Sequence, residues 1–134
     1  LSLSLSLSLS LSLSLSPLNT AYILPRWMMD FFEESFLRNN TALFEHPYIC
    51  PLKAKTLAGL PPAHIILASH DPLKDDGKMF YEALREAGVD AHLSYFDAQV
   101  HAFFSIDFLP AALTARTEAI QRIRNSLSIR LKDR

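Results

Sequence analysis

Hydrophobic positions along this chain change their period several times, and each change marks an element. From Leu1 to Ser16 leucine and serine alternate without a break, which is the period of a strand with one apolar face. Over Arg26 to Arg38 the period lengthens. Trp27, Met28, Phe31 and Phe32, followed by Ser35 and Phe36, recur at spacings of three to four, while Asp30, Glu33, Glu34 and Arg38 take other faces behind Pro25. That pattern predicts an amphipathic helix. Asn39 to Pro62 is rich in prolines and short apolar clusters. It predicts a connection with at most a brief turn of helix around Lys53 to Leu57.

After the Pro61-Pro62 pair, the apolar run AHIILAS from Ala63 to Ser69 has the length and β-branched character of a strand buried on both faces. A helix follows, with Asp75 or Asp76 as its cap, apolar positions Met79, Phe80, Ala83, Leu84 and Ala87, and Gly88 where a left-handed terminal residue belongs. Val89 to Phe96 reads as a second strand, with Ala91, Leu93 and Tyr95 on one side and His92, Ser94 and Phe96 on the other. Leu109, Leu113, Ile120, Ile123, Leu127 and Leu131 trace one side of a long helix that begins near Pro110 and is expected to pack back on the sheet. The order predicts an α/β fold. A right-handed crossover makes the two strands parallel neighbours, so the loops after Ser69 and after Phe96 leave the same edge. Open α/β sheets bind ligands at that edge, and the two loops hold Asp71 and His101.

Composition narrows the setting. Of 134 residues 49% are hydrophobic, but Leu1 to Leu15 contribute eight leucines to that share, so residues 17–134 have an ordinary water-soluble mixture. Serine interrupts the leucine tract at every second position, which rules out a membrane-spanning helix there. The tract also lacks the basic start and unbroken apolar segment of a secretory signal. It is expected to be a translated simple repeat, because CT dinucleotides encode alternating Leu and Ser in every frame. The chain thus divides into a low-complexity tract, 1–16, and one domain portion, 17–134. Thirteen Lys plus Arg balance fourteen Asp plus Glu, for a net charge of −1, so no field favours nucleic acid or an anionic membrane. Cys50 is the only cysteine. No intrachain disulfide can form, and a cytoplasmic setting is favoured, with secretion left open.

Asp71 and His101 are the residues that carry chemistry. A histidine acting as general base needs a carboxylate on its other ring nitrogen to fix the tautomer, hold the ring and stabilise the imidazolium. The gap of 30 positions between them is what one strand-helix-strand step requires. Taken singly, Asp71 also reads as a turn residue before Pro72, and His101 as a packed or exposed loop histidine. His64, His70 and His92 with Asp71 show no zinc-site spacing. Asp71, Asp75, Asp76 and Gly77 lack the alternating order of a calcium loop. Neither a zinc site nor a calcium loop is expected. Arg116, Arg122, Arg124, Arg130, Lys132 and Arg134 make the last helix basic, which reads as a solvated face.

The wording around these residues is specific. GLPPAHIILASHDPLKDDGKMFYEALREAGV, followed by YFDAQVHAFF, closely resembles the C-terminal region of the hormone-sensitive-lipase-like branch of α/β hydrolases. In that family GLPPA leads into a strand, a DPL-basic-D-acidic-G segment presents the triad acid, and an H-G-F segment presents the triad histidine. Asp71 and His101 fall on those positions. RWMMDFFEESFL resembles the helix between the family's nucleophile region and its acid strand, and HPYICPLKA resembles its P-x-x-S-P-L-x-A connection. The resemblance covers about Ala21 to Ser126. Ala102 stands where the family has glycine and Cys50 where it has serine; alanine at 102 is expected to strain the loop if positive φ is needed there.

The resemblance implies the C-terminal portion of an α/β-hydrolase sheet and a serine carboxylic-ester hydrolase acting on small-acyl esters or lipids, with no cofactor and no metal. Its nucleophile elbow, G-x-S-x-G, is not in this sequence: Gly59, Gly77 and Gly88 are the only glycines and no two are four positions apart. Ser69 on the first strand and Cys50 between Ile49 and Pro51 sit on no elbow. The chain alone is therefore expected to be inactive. Two other readings stand beside this one: a non-catalytic ligand-binding protein on the same scaffold, against which the retained His101 weighs, and a truncated product without function. A sheet that ends at the Ala63 strand would expose an apolar edge open to self-association.

Overall fold

The computed structural model describes residues 23–38 and 40–132, so the Leu-Ser tract lies outside the described residues. The elements run α1 (Arg26–Leu37), β1 (Ala63–His70), α2 (Lys74–Glu86), β2 (Ala91–Val100) and α3 (Pro110–Lys132). The two strands pair in parallel. This is the predicted strand-helix-strand-loop-long helix, with a helix upstream. None of the described helices is long and apolar enough to cross a membrane.

A parallel sheet is covered on both faces, and the alternation along β1 divides the core accordingly. Ile65 and Leu67 face α2 and cluster with Leu84, Val89 and Ala91. Ala68 faces α3 and clusters with Phe103, Ala112 and Ala115, with Ile66 and Phe96 packed against them. A β-carbon at Gly77 would run into the Leu67 side chain, so the helix approaches the strand as closely as glycine permits.

Helix α2 stops as its sequence requires. Gly88 adopts φ +76°, its N–H donates to the Arg85 carbonyl, and the Val89 N–H donates to the Leu84 carbonyl. Val89 and Leu84 then pack in one cluster, completing the cap with a hydrophobic contact. The start differs from expectation. The helix begins at Lys74, Asp75 and Asp76 lie inside its first turn, and no side chain caps it. Asp71 organises that end instead, its Oδ1 accepting the Leu73 N–H at 2.8 Å. The two acids still meet the positive end of the helix dipole favourably.

Four further expectations are corrected. The connection carries 3-10 turns at Thr41–Glu45 and Pro51–Lys53 in place of a turn over Lys53 to Leu57. Strand β2 starts two residues later than predicted, because Val89 is used in the α2 cap, and it continues to Val100. Helix α3 does not dock through its large aliphatic stripe. Ala112 and Ala115 are fully buried, while Leu113, Ile120, Ile123 and Leu127 are exposed; the Leu131 side chain lies outside the described residues. Methyl groups let the helix backbone come close to Ala68 and Phe103, a proximity that a leucine face would prevent. On α1, Trp27, Phe31, Phe32 and Phe36 are exposed and only Leu37 is buried.

A polar chain also ties α3 to the sheet. The Ser94 hydroxyl donates to Glu118 Oε2 at 2.7 Å, so the hydrogen between Ser94 Oγ and His64 Nε2, 2.9 Å apart, belongs to the histidine.

Leu84 is 1% exposed at the centre of the α2 cluster. Leu84→Ala is expected to cost about 2–5 kcal/mol in denaturant unfolding. A loss below about 1 kcal/mol would show that the cluster is not the core of this fold.

Candidate active site

Asp71 directly follows β1 and His101 directly follows β2. Parallel strands end on the same side, so the two residues start as neighbours. Their alignment depends on one irregularity. The pairing offset is 28 residues from Ala63↔Ala91 through Ala68↔Phe96 and becomes 30 at His70↔Val100. Two extra residues of β2 are absorbed between those points, where Ala98 turns to φ +55°. An unshifted ladder would set Gln99 beside Asp71; the bulge brings His101 there instead.

His101 Nδ1 and Asp71 Oδ2 are 2.9 Å apart. The Asp71 side chain is 16% exposed and the His101 side chain 25%. Both carboxylate oxygens are engaged, since Oδ1 accepts the Leu73 N–H two residues on. That is an Asx turn, the local geometry that Asp before a turn favours. It holds the carboxyl plane so that Oδ2 meets the ring. Lys74 braces the same corner, its Nζ donating to the Ser69 carbonyl at 3.1 Å.

The carboxylate decides the histidine's electrostatics. The Asp71 hydrogen bond holds the His101 pKa above its ordinary 6.5, against partial burial, which pulls it down, and with the Asp71 charge adding to the rise. At neutral Asp71–His101 geometry the proton sits on Nδ1, leaving the Nε2 lone pair as the basic site. Among the described residues nothing bonds that Nε2. The arrangement can take up a proton at Nε2 and stabilise the resulting imidazolium.

His101 is aimed by a strained backbone. Ala102 adopts φ +60°, and the next three residues, Phe103–Ser105, form a 3-10 turn whose Phe103 is buried. The expectation for Ala102 thus holds: a side-chain-bearing residue occupies the left-handed region.

The other candidates are placed apart. Ser69 Oγ contacts its neighbour His70 at Nδ1, 2.9 Å away. Cys50 is a buried free thiol. His64 sits near the opposite end of β1 from Asp71, its ring 5.2 Å from that of His92. Burial, with Arg122 and His92, pushes the His64 pKa down. No group of three His, Cys, Asp or Glu among the described residues can hold a metal. Two contributors escaped the sequence reading. The Leu73 N–H was signalled by Asp-Pro-Leu, whose aspartate favours an Asx turn. The Ala98 bulge had no signal, because alanine has no preference for positive φ.

An α/β unit with an acid-histidine pair at the carboxyl edge of parallel strands is thereby defined. A profile of the alpha/beta hydrolase fold matches residues 9–105. The chain belongs to the alpha/beta hydrolase fold family. It is 35% identical over 108 residues to the carboxylic ester hydrolase LipN of Mycobacterium tuberculosis, covering 80% of this chain and 29% of LipN. It is 34% identical over 85 residues to mouse (Mus musculus) hormone-sensitive lipase, covering 61% of this chain and 11% of the lipase. The crystal structure of EstE1, a thermostable carboxylesterase cloned from a metagenomic library, superposes with a TM-score of 0.73 at 32% identity, over 77% of this chain and 35% of EstE1. The chain therefore spans about a third or less of the length of these relatives.

Two measurements check the site. Asp71→Asn is expected to return His101 to or below 6.5, because the hydrogen bond that raises its pKa is lost while burial remains; NMR titration of the ring nitrogens reads this directly. A raised folded pKa contributes stability that is fully present below 6.5 and lost as pH rises through the folded value. His64 acts oppositely, costing stability as pH falls from 6.5 to its lowered value. Only the loss on the alkaline side should vanish in Asp71→Asn. Separately, Ala102→Gly is expected to raise unfolding stability by about 1 kcal/mol through relief of the left-handed strain; a decrease would contradict the strained turn.

Proposed function

We propose that this chain is the acid-histidine portion of a serine carboxylic-ester hydrolase. Asp71 orients His101, and His101 serves as general base toward a serine carried on a G-x-S-x-G turn of the complete enzyme. The observation that carries this reading is the 2.9 Å contact between Asp71 Oδ2 and His101 Nδ1 at the carboxyl edge of two parallel strands. Similarity to LipN, a carboxylic ester hydrolase, and to EstE1, a carboxylesterase, supports the substrate class.

The chemistry follows from which atoms are free. His101 Nε2 accepts the serine proton as the serine oxygen attacks the ester carbonyl, and the imidazolium is stabilised by Asp71. The same proton is then delivered to the departing alkoxide, leaving an acyl-serine. Water, deprotonated by Nε2 in turn, attacks the acyl carbon, releases the acid and restores the serine. No metal or cofactor enters these steps. Small-acyl esters or lipids are the proposed substrates, with the exposed rings of Trp27, Phe31 and Phe32 on α1 helping to wall the acyl site.

By itself the chain should not turn over esters. Its three glycines allow no G-x-S-x-G, Ser69 is occupied with His70, and Cys50 is buried. Acyl transfer then lacks its covalent step and its oxyanion donors.

The test compares two proteins on a short-chain p-nitrophenyl ester. The 134-residue chain is expected to show no hydrolysis above background. A gene product that joins it to an upstream G-x-S-x-G is expected to hydrolyse the ester and to lose about 10⁶-fold in kcat on His101→Ala. Tight ester binding without turnover in that longer product, or turnover indifferent to His101, would overturn the proposal in favour of a binding protein on the same scaffold.

A further inference from the structure

The turn after His101 is too short to hold itself. Phe103–Ser105 is a single 3-10 turn, closed by the Ser105 N–H to the Ala102 carbonyl and the Ile106 N–H to the Phe103 carbonyl. Its position is set from outside by two contacts. The Phe103 ring is buried among Ala68, Ala112 and Ala115, with its centroid 5.2 Å from that of Phe96. The second contact is polar: Arg116 Nη1, on α3, donates to the Phe104 carbonyl at 2.7 Å. Among the described residues no other side chain donates to the backbone of this turn.

One buried ring fixes a point but leaves rotation about it; a second attachment removes that rotation. Arg116 also lies 3.4 Å from Asp107, but the Asp107 side chain is 98% exposed and an ion pair there is worth little. The charge-assisted bond to the carbonyl is the stronger contact, and the Arg116 side chain that makes it is 27% exposed. His101 stands two residues before Phe103, so a shift of the turn is passed through Ala102 to the imidazole. The N–H···O bond to Asp71 weakens steeply with such displacement.

We propose that Arg116 is a positioning residue for His101: from α3 it clamps the turn after the histidine and so keeps the imidazole in register with Asp71. This rests on the Asp71–His101 pair acting as described above. The clamp makes α3 part of the catalytic geometry, although among the described residues that helix supplies none of the hydrogen bonds of the pair.

A positional role and a mere charge effect have opposite signs. Removing a cation near a histidine raises its pKa, because the imidazolium is repelled less. Loosening the Asp71 hydrogen bond lowers it. The experiment is NMR titration of the His101 ring nitrogens in the full 134-residue chain, unaltered and as Arg116→Ala, Arg116→Lys and Asp107→Asn. Arg116→Ala is expected to lose at least half of the elevation above 6.5. Arg116→Lys, which keeps a donor for the Phe104 carbonyl, is expected to recover part of it, and Asp107→Asn to change nothing. If Arg116→Ala does not fold, Arg116→Met, which keeps most of the stem and has no donor, takes its place with the same expected fall. An unchanged or raised His101 pKa in the arginine variants, beside a normal elevation in the unaltered chain, would overturn the clamp alone. An unaltered chain with no elevation would overturn the Asp71–His101 pair and the clamp with it.

Discussion

A carboxylate and an imidazole thirty residues apart meet at 2.9 Å because two parallel strands change their register between them. Parallel pairing alone brings the two strand ends to one edge, but the ladder that starts at Ala63↔Ala91 would leave His101 two positions beyond Asp71. The bulge around Ala98 absorbs that excess. Two properties of the site follow from this alignment: the engagement of Nδ1 by the Asp71 carboxylate and the upward shift of the His101 pKa by that hydrogen bond.

The alignment is maintained by contacts that differ in kind. Asp71 is held locally, by the Leu73 N–H in its own turn. His101 is held at a distance, through a left-handed Ala102 and a buried Phe103 that reaches both β1 and α3. A local hydrogen bond survives small movements of the fold, whereas a histidine aimed by tertiary packing follows any displacement of the elements behind it. The acid is thus the fixed partner and the histidine the adjustable one.

Large apolar side chains on α1 and α3 face outward, while the core is built from a few residues between helix and strand. Beyond the hydrophobic content of the chain, this distribution reflects which surfaces meet. Alanines permit the close approach of α3 to the sheet, and Leu113, Ile120, Ile123 and Leu127 of the same helix are exposed. Its period is helical, as read, but periodicity records that a stripe exists and not which neighbour it touches.

The element order, the parallel pairing and the meeting of Asp71 with His101 were legible before any coordinates. Each depends on short-range information: a buried β-branched run, Gly88 after a helical period, and Asp and His in the two loops that a crossover brings together. The tertiary structure alone decided the rest. It placed Asp71, and not Asp75 or Asp76, at the start of α2, because the carboxyl that reaches the Leu73 N–H also reaches His101. It chose the alanine side of α3 for docking, and it put the bulge at Ala98 and positive φ at Ala102, conformations that an alanine adopts only when surrounding contacts impose them.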